Sequence, residues 1–188
     1  MKSESEGKGS EYLQIAIRHF EYYKKLGEGA IAQIEESDIH RQTDPESNSI
    51  AVIVKHMGGN MASRWTDFLT TDGEKEWRDR DREFVDDVQD KQRLMSIWDN
   101  GWDLLFSVLR QLKREDLGRT VYIRNEGHTV LDAINRQLTH YAYHVGQIVY
   151  IAKAIRSGSW KSLSVPKGES ERFNQEKFSK PKKPKHFV

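Results

Sequence analysis

The stretch INRQLTHYAYHVGQIVYIAK, residues 134–153, carries a single apolar face at helical spacing. Ile134, Leu138, Tyr141, Val145, Ile148, Ala152 and then Ile155 recur every three or four residues, the period of an α-helix packed on one side. The flank of that stripe holds two histidines, His140 and His144, which point about 40° apart at ~100° per residue. Two readings of the pair stand side by side. A helix wedged between two neighbours buries its flanks and turns both imidazoles inward as ligands. A helix at the rim leaves them as wet polar residues. H-x-x-x-H alone decides neither, and Tyr141 stands where a zinc protease needs the glutamate of H-E-x-x-H, so that class is excluded.

Working outward, Thr129 is placed to cap this helix, which runs to about Ser157. Before it, RTVYIRNEGHTV alternates β-branched and polar residues and predicts a tight extended turn around Glu126–Gly127. Three further helical patterns precede that turn. The first starts after Ser10, a candidate cap, and carries Leu13, Ile17, Phe20, Leu26, Ile31 and Ile34 to about Ser37–Asp38. The second starts near Ser49 and carries Ile50, Ile53, Val54, Met57, Met61, Trp65 and Phe68. The third covers roughly Lys91 to Leu112. Residues 70–90, dense in charges of both signs, predict a long surface crossover between the second and third helices. The expected fold is therefore all-α, a four-helix bundle with one long crossover that lets those two helices run in the same direction. Trp65, Trp98, Trp102 and Phe106 recur at helical spacing and are expected in the core or at an interface.

The expected domain plan has a disordered N-terminus at residues 1–9, the bundle at 10–157, and a Pro/Lys-rich tail at 158–188. That tail is expected to pack on the bundle or trail from it. With 188 residues the chain is long enough for one core. Its net charge of +1 gives no global argument for nucleic acid or a membrane surface, and KPKKPKH at the end reads as a solvated tail. The absence of cysteine removes disulfides, zinc fingers, iron–sulfur clusters and cysteine nucleophiles. No apolar run approaches the ~18 residues of a membrane span, so a soluble, cytoplasmic protein is expected.

Of the remaining histidines, His56 stands out. It lies mid-helix in AVIVKHMGGNMASRW, beside the glycine pair Gly58–Gly59. Each glycine there costs up to ~1 kcal/mol relative to alanine, which is tolerable where another backbone or a ligand approaches closely. A buried imidazole needs a partner; a single hydrogen bond to a neighbouring helix would suffice, and so would a metal ion.

One histidine in the second helix plus H-x-x-x-H in the last resembles the metal site of the DinB/YfiT-like four-helix bundles. SIAVIVKHMGGNMASRWTDFLTTDGEK, INRQLTHYAYHVGQIVYIAK and the SLSVPKGES tail are similar to one largely uncharacterised branch of that superfamily. The resemblance implies an up-down-down-up helix order and a homodimer. It also implies one divalent ion, commonly zinc or nickel, on His56, His140 and His144. Some such proteins transfer a low-molecular-weight thiol onto electrophiles. Three neutral imidazoles leave an ion its full charge and an open position that favours hydroxide, thiolate or a substrate carboxylate. With Asp67 and Asp132 turns away from the ligands, carboxylate bases are scarce, which tilts the expectation toward thiol S-transfer to a small-molecule substrate. A metal-dependent hydrolase and a non-enzymatic metal-binding dimer are the alternatives. Asn60 and Gln137 are candidates to orient a ligand or cofactor, or else interior hydrogen-bonding groups. Arg64 and Arg136 can meet a substrate carboxylate, or serve as exposed ion pairs.

Overall fold

The computed structural model describes the backbone of residues 2–183 and the side chains of residues 9–183. The last residues of the lysine-rich tail, His186 among them, lie outside the described residues. Among the described residues the chain is mostly helical, with five α-helices and one two-stranded hairpin. These are α1 (Lys2–Ile31), α2 (Ile50–Trp65), α3 (Lys91–Gln111), β1 (Thr120–Ile123), β2 (Glu126–Thr129), α4 (Val130–Arg156) and α5 (Ser170–Phe178). Among the described residues, no helix is long and apolar enough to cross a membrane.

The helix starts follow local capping chemistry. Ser49 and Thr129 accept hydrogen bonds from the Val52 and Asp132 amides, and Asp90 does the same for Arg93 at the start of α3. Ser10 caps nothing, because the helical backbone of α1 runs back to Lys2, through the segment whose composition predicted a loose end. At its other end α1 stops at Ile31, short of Ser37, and a 3-10 turn at Glu36–Asp38 follows. Phe68 likewise falls outside α2, since Thr66 is extended and Asp67 turns the chain with φ 48°.

α2 packs on α3 and α1 on α4, with further contacts between α2 and α4 and between α1 and α3. An aromatic cluster fills the space between them. Phe20 meets Trp65, Trp102 and Tyr141 at ring-centroid distances of 6.4, 6.2 and 6.0 Å, and all four are fully buried. Each such pair adds about 0.5–1.5 kcal/mol beyond the area it buries. Trp98 and Phe106 join the same core.

Residues 66–90 do cross from α2 to α3, but they do not simply lie on the surface. A 3-10 turn at Asp81–Phe84 packs against α2. Nearer α2, the Gly73 amide donates to Tyr122 O of the hairpin at 2.8 Å. Thr120 pairs with Thr129 and Ile123 with Glu126, so the turn residues are Arg124 and Asn125, with φ 57° and 63°. The tight turn therefore sits two residues before Glu126–Gly127, and Gly127 is paired inside the ladder with Tyr122.

Candidate metal centre

α2 and α4 bring His56, His140 and His144 together, with one ring nitrogen of each within 4.8 Å of the others. His140 Nε2 lies 3.4 Å from His56 Nε2 and 3.1 Å from His144 Nε2. His56 is buried, and the other two are partly buried.

The outer nitrogens of two rings are already held. His56 Nδ1 lies 2.9 Å from Glu83 Oε2, and His144 Nδ1 lies 2.8 Å from Gln147 Oε1. Both partners accept, so each Nδ1 carries the proton and each Nε2 presents a lone pair to the cluster. Lone pairs facing one another at this range repel unless a cation or proton lies between them. Tetrahedral zinc with Zn–N bonds near 2.0–2.1 Å separates its nitrogens by about 3.3 Å, close to the two Nε2 separations seen here. The donor set fits a divalent ion, and the three histidines can hold one.

Electrostatics favour the same state. Burial, with the neighbouring His144 and His56 adding to it, pushes His140 down to about 3, and burial also lowers His144. Both imidazoles are therefore neutral at ordinary pH, as ligation requires.

Glu83 is the residue that local sequence reasoning missed. It comes from the 3-10 turn of the crossover, is itself buried, and pairs with Arg78 through Nε at 2.8 Å and Nη2 at 2.9 Å. Burial works to raise its pKa, but hydrogen bonds from His56 and Arg78 outweigh that and hold it below the usual carboxylate value. A carboxylate on the outer nitrogen of a ligand histidine fixes its tautomer and raises its basicity. Gly59 makes room for it, since a Cβ at that position would collide with Glu83 Oε1. Gly58 serves the other side of the pair: a Cβ there would run into Ile97, where α2 and α3 approach closely.

Arg64 and Arg78 continue the network as ion pairs with Glu74. Arg64 also donates to the Gly73 carbonyl. Asn60 Oδ1 accepts from the Tyr141 hydroxyl at 3.0 Å, and that hydroxyl accepts from Trp65 Nε1 at 3.1 Å. Asn60 thus locks the helix that carries two of the histidines to the one that carries the third. Gln137 is buried with its Oε1 unpaired among the described residues. Asn60 and Gln137, with His56 and His140, border a pocket of about 430 Å³ open to solvent. Phe84 lies over the His56 ring at 4.8 Å between centroids.

A family model described as a protein of unknown function (DUF1572) matches residues 7–169. The chain belongs to that family. The DUF1572 match takes in α2, the crossover, the hairpin and α4, and so every residue of the histidine cluster and its supports. No curated protein and no solved structure matches the chain.

Proposed function

We propose that this DUF1572 protein is a divalent-metal-dependent enzyme of DinB-like, up-down-down-up bundle design. Zinc or nickel would sit on His56, His140 and His144, and the reaction would transfer a small thiol to an electrophilic substrate. The observation that carries this reading is the convergence of three histidine ring nitrogens, two of them on rings that border an open pocket.

A divalent ion held there by His56, His140 and His144 would supply a Lewis-acid site that keeps a thiol or a water in its anionic form at neutral pH. The chain's own groups do the rest. Glu83 and Gln147 hold the rings of His56 and His144 in the tautomer that leaves Nε2 free. Asn60 and Tyr141 keep α2 and α4 in register. Glu83 is spoken for by His56 and Arg78, and among the described residues no carboxylate borders the pocket to act as a general base toward water. A hydrolytic route would lack a carboxylate to relay its protons, which tilts the reading toward a thiol over hydrolysis.

The test is elemental analysis together with turnover. The purified or reconstituted protein should carry one divalent ion per chain. His56→Ala, His140→Ala and His144→Ala should each lose it, along with thiol consumption in the presence of an electrophile such as a halo-dinitrobenzene. Turnover of an ester or amide without thiol would move the assignment to a hydrolase. A wild-type protein that holds no stoichiometric metal would end the reading.

A further inference from the structure

Apart from its histidines, the wall of the same pocket is cationic. Arg64, Arg78, Arg80, Arg124 and Arg136 all border it, and among the described residues no Asp or Glu side chain does. Among the described residues, the only carboxylates paired with these five are Glu74 and Glu83, which leaves an excess of three positive charges.

Arg64 and Arg78 are committed, with buried side chains and their ion pairs in place. The other three are not. Arg124 reaches Glu74 through Nε alone, at 3.2 Å, on a carboxylate it shares with both buried arginines, and its side chain is 57% exposed. Arg136 donates to His128 Nε2 at 3.0 Å and has no carboxylate in direct contact among the described residues. Arg80 lies over the Phe84 ring at 5.0 Å and has no carboxylate partner among the described residues.

Exposed arginines on a convex surface need no explanation beyond solvation. These three border one concavity, and each is aimed by a separate contact. Arg124 sits at the tip of the hairpin with φ 57°, where Asp72 accepts from the amides of both Arg124 and Asn125 at 2.9 and 2.8 Å. Arg136 is turned by His128, whose Nδ1 is held by Asp132 at 2.7 Å. Arg80 is placed by Phe84, which itself covers His56. Gln137, buried with unspent hydrogen-bonding capacity, borders the same space.

We propose that Arg80, Arg124 and Arg136 form an anion subsite that anchors a carboxylate or phosphate of the substrate, presenting the rest of the molecule to the histidine cluster. The presentation to the cluster rests on the metal-centre reading; the anion subsite does not. Guanidinium groups suit this task because their fork of N–H donors matches planar oxyanions. The volume of about 430 Å³ falls within the ~300–1,000 Å³ of ordinary small-molecule pockets.

The test is calorimetric titration of the full chain, zinc-reconstituted and metal-stripped, with inorganic phosphate and, separately, with succinate. The two probes distinguish a phosphate from a carboxylate source. Binding of at least one is expected, weakened roughly tenfold or more in Arg124→Gln/Arg136→Gln and weakened again by Arg80→Gln. Zinc stoichiometry should stay unchanged in these variants, and Arg93→Gln, on the exposed start of α3, should bind as wild type does. Anion binding that persists in metal-stripped protein and depends on the arginines supports the subsite even where no zinc is found, so the two readings fail separately. Undiminished affinity in the double variant overturns the proposal, as does binding that needs zinc but ignores the arginines, or no binding of either probe.

Discussion

Glu83 Oε2 lies 2.9 Å from His56 Nδ1, although the two residues belong to different elements and Glu83 comes from the most charged segment of the chain. The pair turns a buried histidine into a directed donor, with its proton on the outer nitrogen and its lone pair toward His140 and His144. It follows that Glu83 acts through His56 and not on substrate. Glu83→Gln keeps an acceptor but removes the negative charge that raises imidazole basicity. Metal affinity should fall about 10- to 100-fold, the usual effect of losing such a partner, as read by competition with a chromogenic chelator. Glu83→Ala should in addition lose about 3–5 kcal/mol in denaturant unfolding, because Arg78 is left buried without its bidentate partner. Equal metal affinity in wild type and Glu83→Gln would remove Glu83 from the site.

The two neighbouring glycines of α2 should separate in the same assays. A Cβ at Gly59 meets the end of the Glu83 side chain, which can swing away. Gly59→Ala should therefore weaken metal binding much as Glu83→Gln does, and it should cost stability as well, because displacing Glu83 loosens its pair with buried Arg78. A Cβ at Gly58 meets Ile97 on a packed helix, with the Ile97 carbonyl 3.4 Å away. Gly58→Ala should lose roughly 1–3 kcal/mol by overpacking, with the smaller effect on metal affinity. Reversal of that order would count against the division of labour between them.

These contacts show which parts of the molecule a sequence can disclose. The helices and the caps Ser49 and Thr129 are legible because period and capping are local chemistry. His140 and His144 are legible as a pair, and His56 through its place beside two glycines. Glu83 is not legible, because it is one of many acids in residues 70–90, and nothing in its immediate neighbourhood marks it as the one turned inward. Its trace lies elsewhere, in Gly59, whose missing side chain vacates the space. The hairpin tip lies away from its strongest local signal for a similar reason. Gly127 is the strongest local turn signal, yet Asp72, far back in the chain, stabilises the left-handed backbone of Arg124 and Asn125 instead.

The depressed basicity of His140 and His144 gives the metal-free protein a definite response to acid. His140 is pushed down to about 3 and His144 is lowered, both by burial first. In the unfolded chain both take up protons near the ordinary histidine value of ~6.5. As pH falls below that value, the unfolded state binds protons that the folded state refuses, so stability is full above it and declines toward the folded value. Thermal melting of metal-stripped protein between pH 8 and pH 4 should show Tm falling on the acid side. His140→Asn should flatten part of that fall. A Tm that climbs on acidification through this window would contradict the buried, neutral cluster.

Asp72 offers a way to disturb the pocket without touching a histidine. Its carboxylate accepts from three backbone amides, those of Glu74, Arg124 and Asn125, and those bonds hold it below the usual carboxylate range against a burial effect that works to raise it. Removing it leaves two consecutive non-glycine residues in the left-handed region without their acceptor, at a penalty of about 1.5–3 kcal/mol for hydrogen bonds to a charged group. Asp72→Ala should speed amide exchange at residues 120–129 and let the Arg124 guanidinium wander from the pocket, while zinc stays bound at the wild-type level. If the hairpin amides of Asp72→Ala exchange as slowly as those of wild type, the turn is held by its own ladder. The placement of Arg124 would then need another cause.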